Sequence, residues 1–389
     1  MAEDVFPAGL TTPGFMSVNA LLESAVDLQK SRIKVNNVAR VLAATNNREI
    51  ETRRCVMRMN KWLILGILAV FLVTLLATGC DSGPKAPAAP SQIVLKAADI
   101  QPEDYPTTMA MKYMAKLLDE RTNGRIKMQV YGGAQLGQEK ETIEMTQAGT
   151  IAFNRINASP LVSFSPAMGV YSMPYLFRDE DHLWKVLDGP IGKGLLKGME
   201  SSNLVGLAYY DSGARSFYTK GKPIKTLADM KGMKIRVQQS KIFVDLVNTL
   251  GGSATPMNYG EIYSGLQTGI IDGAENNPPS LWTSKHYEVA KYYSLDEHSM
   301  VPEVLLISKK VWDGLSPADQ KLIAQAAQDS VAEQRKLWNE LVQKSMNELK
   351  AKGTVFLKPD KAPFQKAVQP VYAKYPEYKE LISQIQAVK

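Results

Sequence analysis

Cysteine is nearly missing from this chain. Its 389 residues contain two, Cys55 and Cys80, and three histidines, His182, His286 and His298. Downstream of Cys80 there is no thiol, which excludes a disulfide framework and a cysteine-ligated metal there. The histidines stand far apart, away from metal-ligand spacing. No glycine-rich phosphate loop and no GxSxG elbow occurs, and no positioned acid–base pair or nucleophile can be picked out. The chain therefore reads as a non-enzyme with no cofactor and no metal. Charge of one sign is also scarce: 46 Lys+Arg against 39 Asp+Glu leave a net +7, without basic runs. Removing the nine basic and six acidic residues before Cys80 lowers the excess to +4. That balance points away from nucleic acid and is compatible with small anions.

What is present begins with the N-terminal third. Arg58 and Lys61 precede an uncharged run from Trp62 to Ala77, and the run closes at Leu76-Ala-Thr-Gly-Cys80. A basic region, a short apolar stretch and small residues describe a secretory signal. The closing residues resemble a bacterial lipobox, with Cys80 the lipidated first residue of the mature chain, although Ala77 stands where Leu is commoner. A transmembrane anchor usually needs about 20 apolar residues, and this run is marginal for that. Residues 1–58 form an atypical extension upstream of the signal, as a mis-assigned start would produce, with Met57 or Met59 the initiator. Residues 59–80 are the signal, and 81–91, rich in Pro, Ala, Gly and Ser, form a tether.

The remaining 300 or so residues are near the size at which chains divide into two domains. Strand patterns cover Ile93–Ala98, Arg125–Tyr131, Thr150–Ile156, Gly206–Tyr210, Met233–Val237 and Val304–Ser308. Helical periodicity covers Pro106–Arg121, with Met109, Tyr113, Ala115 and Leu117 among its apolar positions, then Gln138–Gly149, Ser240–Leu250 and Tyr259–Thr268. Ser316-Pro-Ala-Asp319 caps a helix running to about Lys352, and the tail from Ala362 is helical and basic. Repeated β-α-β units predict α/β architecture with largely parallel sheet, in two lobes with a ligand cleft between them.

Two segments carry the chemistry. Lys234-Ile-Arg-Val-Gln238 sets an arginine in an apolar run, and Asp272-Gly-Ala-Glu-Asn-Asn277 follows about forty residues later. A guanidinium fork grips a carboxylate through two parallel hydrogen bonds, and an asparagine amide can hold the second oxygen. The bland alternatives are an edge-strand charge for Arg236 and turn-forming roles for Asn276 and Asn277 beside Pro278-Pro279. Arg215 could equally pair with Asp211 or Asp229, and Glu275 reads as a buried carboxylate.

At this point the chain resembles the solute-binding subunits of tripartite ATP-independent periplasmic (TRAP) transporters, the DctP-type family. The resemblance is carried by Gly133-Ala-Gln-Leu-Gly137, Gln147-Ala-Gly149, Ala228-Asp-Met-Lys-Gly232, Lys234-Ile-Arg236, Pro256-Met257, Tyr263 with Leu266-Gln-Thr268, and Asp272-Gly-Ala-Glu-Asn276. It spans residues 92–360 and implies a two-lobed periplasmic-binding-protein fold with a long hinge helix. Lobe I is expected at 92–212 plus 302–341, and lobe II at 213–301 plus 342–389. It further implies that Arg236 and Asn276 share the ligand carboxylate, and that Arg215 is a second cleft arginine. Tyr259, Gln239 and His298 fall at pocket positions of sialic-acid-binding relatives. Asn157 and Arg155 depart from those relatives, where an acidic and an aromatic residue stand, and make sialic acid an unfitting ligand.

Up to three arginines with Asn154, Asn157, Gln239, Asn276 and His298 suit an acid carrying several hydroxyls, since each hydroxyl needs a partner once water is excluded. The wording Tyr210-Asp-Ser-Gly-Ala-Arg-Ser-Phe-Tyr218 and Tyr293-Ser-Leu-Asp-Glu-His-Ser299 looks like the uronate-binding branch of the family. The resemblance thus implies a monomeric, lipid-anchored periplasmic subunit that captures glucuronate or galacturonate and delivers it to a membrane permease. The alternatives are a C4-dicarboxylate or hydroxy-acid binder, with Arg155 as a second clamp, and a ligand sensor for a signalling partner.

Overall fold

The structure is a computed structural model that describes residues 92–389. The extension, the signal, Cys80 and the tether lie outside the described residues. Among the described residues no helix is long and apolar enough to cross a membrane.

Eleven strands form two mixed sheets. The first contains β1 (Ile93–Ala98), β2 (Ile126–Tyr131), β3 (Phe153–Asn157), β4 (Leu204–Tyr210) and β10 (Glu303–Ser308), in the order β2-β1-β3-β10-β4. The second contains β5 (Ala214–Thr219), β6 (Lys234–Val237), β7 (Ser253–Pro256), β8 (Gly273–Asn276), β9 (Tyr292–Met300) and β11 (Val355–Leu357), in the order β11-β9-β5-β8-β6-β7. The β-α-β units do pair in parallel, as β1 with β2 and β3, and β6 with β7 and β8. The expectation of largely parallel sheet holds, with one reversed strand in each sheet. Strand β10 runs antiparallel to β3 and β4, and β5 runs antiparallel to β8 and β9. The reason is connectivity: β4 passes directly into β5, and β9 into β10, so each strand enters its new sheet reversed.

That reversal positions the cleft. Open α/β sheets bind ligands beyond the carboxyl ends of their strands. Asn157, Arg236 and Asn276 lie at or near those ends of β3, β6 and β8. An antiparallel strand brings its beginning to the same edge, so Glu303 pairs with Asn157, and Ser216, next to Arg215, pairs with Asn276. Five polar residues from five strands, Asn157, Arg215, Arg236, Asn276 and Glu303, therefore converge.

Helix Pro106–Arg121 has the expected limits but a different buried face. Thr107, Met111, Met114 and Leu118 pack inward, whereas Met109 and Tyr113 are exposed. The inward set keeps the i, i+4, i+7 spacing of one stripe, against β1, β2 and the long helix. That helix, Pro317–Ala351, starts on Ser316, whose hydroxyl accepts the Asp319 N–H at 3.1 Å. It grips the first crossing: Gln334 accepts the Asp211 N–H at 2.8 Å and donates to the Asp211 carbonyl at 2.9 Å. Gly213 follows at φ +58 against the Trp338 ring, a conformation and space that suit only glycine. The second crossing, Val301-Pro302, is tied to the first by the Ser212 hydroxyl donating to the Val301 carbonyl. The tail forms short helices whose Phe364, Val371 and Ile385 bury in a core shared with Leu161, Met168 and Phe243.

Gly273 opens β8 against the backbone of β5: an added Cβ would stand 2.5 Å from the Tyr218 carbonyl oxygen. Gly273→Ala is expected to lower stability by about 1–3 kcal/mol through enforced backbone shift, read as a lower urea midpoint.

Candidate functional site

A tight polar cavity of about 20 Å³, room for about one water molecule, lies where both sheets end. From the first sheet and its loops come Ile100, Gln101, Glu139, Arg155, Asn157 and Glu303; the second contributes Arg215, Arg236, Gln238, Tyr259, Asn276, Asn277 and Ser280. A smaller recess sharing Glu139, Arg236, Gln238 and Tyr259 leads out past Gln239 and Lys140.

Arg236 is the anomaly. Its guanidinium is only 3% exposed, yet no carboxylate lies within ion-pair distance among the described residues. Nε and Nη2 donate to the Met257 carbonyl at 3.0 and 2.7 Å, while Nη1 is buried without any partner. Burial pulls its pKa below the usual arginine value, against the nearby Glu275. Of the five N–H donors on the fork, three remain for a ligand.

Its neighbour Arg215 is held differently. Nε and Nη2 embrace the Glu275 carboxylate, Nη2 also reaches the Glu275 carbonyl at 2.9 Å, and Nη1 donates to Asn276 Oδ1 at 2.9 Å. One Nη1 hydrogen stays free. The sequence alternatives Asp211 and Asp229 are not its partners. Asn276 Oδ1 also accepts the Asn277 N–H at 2.9 Å, and its NH2 group has no partner among the described residues. Three donors from Arg236, one from Arg215 and the Asn276 amide thus face one cavity. A carboxylate, with about four lone-pair sites, matches that set.

Behind Arg215 runs a buried relay. Burial raises the Glu275 carboxyl, but Arg215 and His298 outweigh it and hold it at about 2. His298 Nδ1 meets Asp296 Oδ2 at 2.8 Å, its ring stacks on Phe217, and it is fully buried. Burial lowers its pKa, yet Asp296 and Glu275 carry it up to about 9. His298 is therefore not a pocket residue, a correction with a clear cause: both ring nitrogens face carboxylates behind the cleft wall. It acts through Glu275 to fix Arg215.

Four further expectations change. Arg155 lines the cavity, but each of its nitrogens already meets a carboxylate: Nε and Nη2 on Asp99, Nη1 on Glu303 at 2.7 Å, with Glu139 at 3.6 Å. Three carboxylates around one guanidinium leave no uncompensated positive charge for a second ligand carboxylate. Asn157 spends both amide hydrogens on the Val301 carbonyl at 3.2 Å and Glu303 at 3.0 Å, so it struts the hinge. Asn154 turns to the opposite face of β3, towards Thr146. Gln239 is exposed at the mouth, bonded to Asn258 at 3.0 Å; Gln238 occupies the cavity instead. Side chains two apart share a face, so alternation from Arg236 identifies Gln238.

Glu139 and Glu303 escaped the sequence reading altogether. Their signal was weak: one carboxylate at the first turn of a helix, one at the start of an apolar strand. Glu139 accepts the Asn157 N–H at 3.1 Å, and burial, opposed by Arg155 and helped by Glu303, pushes it up to about 7. Tyr259 lines the cavity with its hydroxyl on Ser284 at 2.6 Å. Asn277 caps the helix Pro278–Thr283, its Oδ1 accepting from Ser280 N–H at 2.8 Å, the structural role expected of it.

Arg155→Met leaves Asp99, Glu303 and Glu139 buried without their cation, and is expected to cost about 3–5 kcal/mol in a denaturant titration. A second expectation concerns pH. His298 has a folded pKa above its unfolded value, so its stabilisation is complete below about pH 6.5 and lost as pH rises through about 9. The stability difference between wild type and His298→Gln should therefore shrink from pH 6 to pH 10; a constant difference would show His298 uncharged.

The comparisons with known proteins agree with this geometry. The model of bacterial extracellular solute-binding protein family 7, DctP, matches residues 97–378. A TRAP periplasmic solute-binding protein of Xanthobacter autotrophicus Py2, solved with β-D-galacturonate, is 49% identical with a TM-score of 0.74, covering 76% of this chain and 100% of its own. Another from Pseudomonas putida F1, solved with D-glucuronate, is 43% identical with a TM-score of 0.75, covering 76% and 98%. The 2,3-diketo-L-gulonate-binding periplasmic protein of Escherichia coli K12 is 36% identical over 245 residues, 63% of this chain and 75% of that protein. Two mixed sheets joined by two crossings and meeting at one carboxylate-shaped donor set are the two-lobed fold of these proteins, and the chain belongs to the DctP family of TRAP solute-binding proteins.

Proposed function

We propose that this protein captures a hexuronate, D-galacturonate or D-glucuronate, outside the cytoplasm and presents it to the membrane subunits of a TRAP transporter, without chemical change. The observation that carries this is the buried Arg236 with an unpartnered Nη1 and three donors turned to the cavity. An ion held dry and unpaired is costly, and a ligand carboxylate relieves that cost. Uronates bound to two of the relatives support the choice of acid. The dicarboxylate alternative needs a second vacant arginine, and Arg155 is taken by three acidic side chains.

The ligand's carboxylate seats on Arg236, Arg215 and Asn276, and its ring lies towards Glu139 and Glu303 once the lobes part to widen the cavity. The lobes, with boundaries at 92–212 plus 302–341 and 213–301 plus 342–389, move about Ser212-Gly213 and Val301-Pro302. Cys80 as a lipid anchor and a monomeric state complete the proposal; both rest on the sequence reading.

Arg236→Ala should weaken galacturonate binding by at least about 100-fold in calorimetry, since truncating one side of a buried charged pair costs several kcal/mol. Without ligand the same variant should melt no lower than wild type, because the charge it removes had no protein counter-ion. In wild type, galacturonate or glucuronate at about 100 times Kd should add roughly 2.7 kcal/mol of stability. Retained binding in folded Arg236→Ala would overturn the site.

A further inference from the structure

The cavity has two chemically different ends. On the second sheet Arg236, Arg215 and Asn276 offer free donors and no free acceptor. On the side of the first sheet the situation is inverted. Glu139 and Glu303 line the space, and Asp99 stands directly behind them on Arg155. Three carboxylates share a single guanidinium there, so the group carries an excess of negative charge. Arg155 donates from all three of its nitrogens to Asp99 and Glu303 and stands close to Glu139, so its single positive charge is already outweighed by carboxylates when an anion approaches.

An independent observation points to the same polarity. Gln101 on the first sheet's side and Gln238, which lines both recesses together with Glu139, are 6% and 7% exposed, and the Oε1 atom of each is buried without a hydrogen-bond donor among the described residues. Buried acceptors without partners mark where a ligand must supply donors. Glu139 has one protein hydrogen bond among the described residues, from the Asn157 N–H, and spare lone pairs beyond it.

We infer that Glu139 and Glu303, held in place by Arg155, are the specificity-determining residues that admit a hydroxyl-rich monoacid and reject any ligand with a second negative charge. This rests on the uronate reading and deepens it. Neutral hydroxyls donate to the two carboxylates and to the Gln101 and Gln238 carbonyl oxygens. A second carboxylate in the same place meets two like charges in a desolvated space. Arg155 is the positioning residue: it fixes the acidic pair and is itself withheld from the ligand. The raised pKa of Glu139 accords with crowded negative charge on this wall.

The test is calorimetric titration of the purified protein with D-galacturonate, D-glucarate and L-malate, in wild type, Glu303→Gln and Glu139→Gln. Each variant keeps an oxygen acceptor of the same shape and loses the charge, and thermal melting checks that it is folded. Glu139, with one backbone partner, is the substitution that disturbs the fold least. Wild type should bind galacturonate with the two diacids at least about 100-fold weaker, as like-charge juxtaposition demands. Either variant should narrow that gap at least about tenfold, galacturonate weakening while the diacids gain. Differences of ring and open chain cancel, because the same ligands are compared across proteins. A gap unchanged in both variants overturns the inference, as does a wild type that binds galacturonate and a diacid alike. A wild type that binds no uronate at all overturns the uronate reading and this inference together.

Discussion

One arginine buried without a counter-ion organises this molecule. Ionised groups taken from water normally find an opposite charge, and the other interior arginines here have done so. Arg155 lies on Asp99 and Glu303, and Arg215 on Glu275. Arg236 is pinned by one backbone carbonyl instead, so its charge is oriented but not neutralised. The rest of the cleft protects that state. Glu275, the acid best placed to neutralise Arg236, is occupied by Arg215 on one side and His298 on the other. His298 in turn is balanced by Asp296. A chain of opposite charges thus ends, among the described residues, in one guanidinium without a carboxylate partner, on the wall of the cavity.

Topology makes the vacancy accessible. Because β5 and β10 enter their sheets reversed, their first residues meet the last residues of β3, β6 and β8 at one edge. The two crossings that impose this reversal are also the shortest connections between the sheets. Hydrogen bonds bind them to each other and to the long helix through Gln334. Stiff sheets joined by two tied turns favour rotation about those turns over internal deformation, which is the mechanical requirement for closing on a ligand. Site and hinge share residues: Asn157 bonds the Val301 carbonyl, and Asn277 donates to the Ser212 carbonyl. In the proposed function binding and closure are therefore physically joined.

Much of this was legible in the sequence, and what was not follows a rule. Strands such as Ile93–Ala98, helix limits such as Pro106–Arg121, and the Ser316 cap are local matters of periodicity and end chemistry. Arg236 and Asn276, whose segments are distinctive, do line one cavity. The buried face of Pro106–Arg121 was misjudged, since alternative apolar stripes on one helix are separated only by what packs against them. Gln238 could have been preferred to Gln239 by alternation alone.

The sequence by itself determined the α/β elements, the family and an arginine set in an apolar run, because each is written in short contiguous patterns. Which arginine remained vacant was decided only by tertiary structure. Arg155, Arg215 and Arg236 are alike as residues in a string. They differ because the fold sets acidic partners 56, 60 and 148 positions away against the first two, at Asp99, Glu275 and Glu303, and none against the third. Pairing over such separations follows from strand order and crossing, which no local pattern encodes.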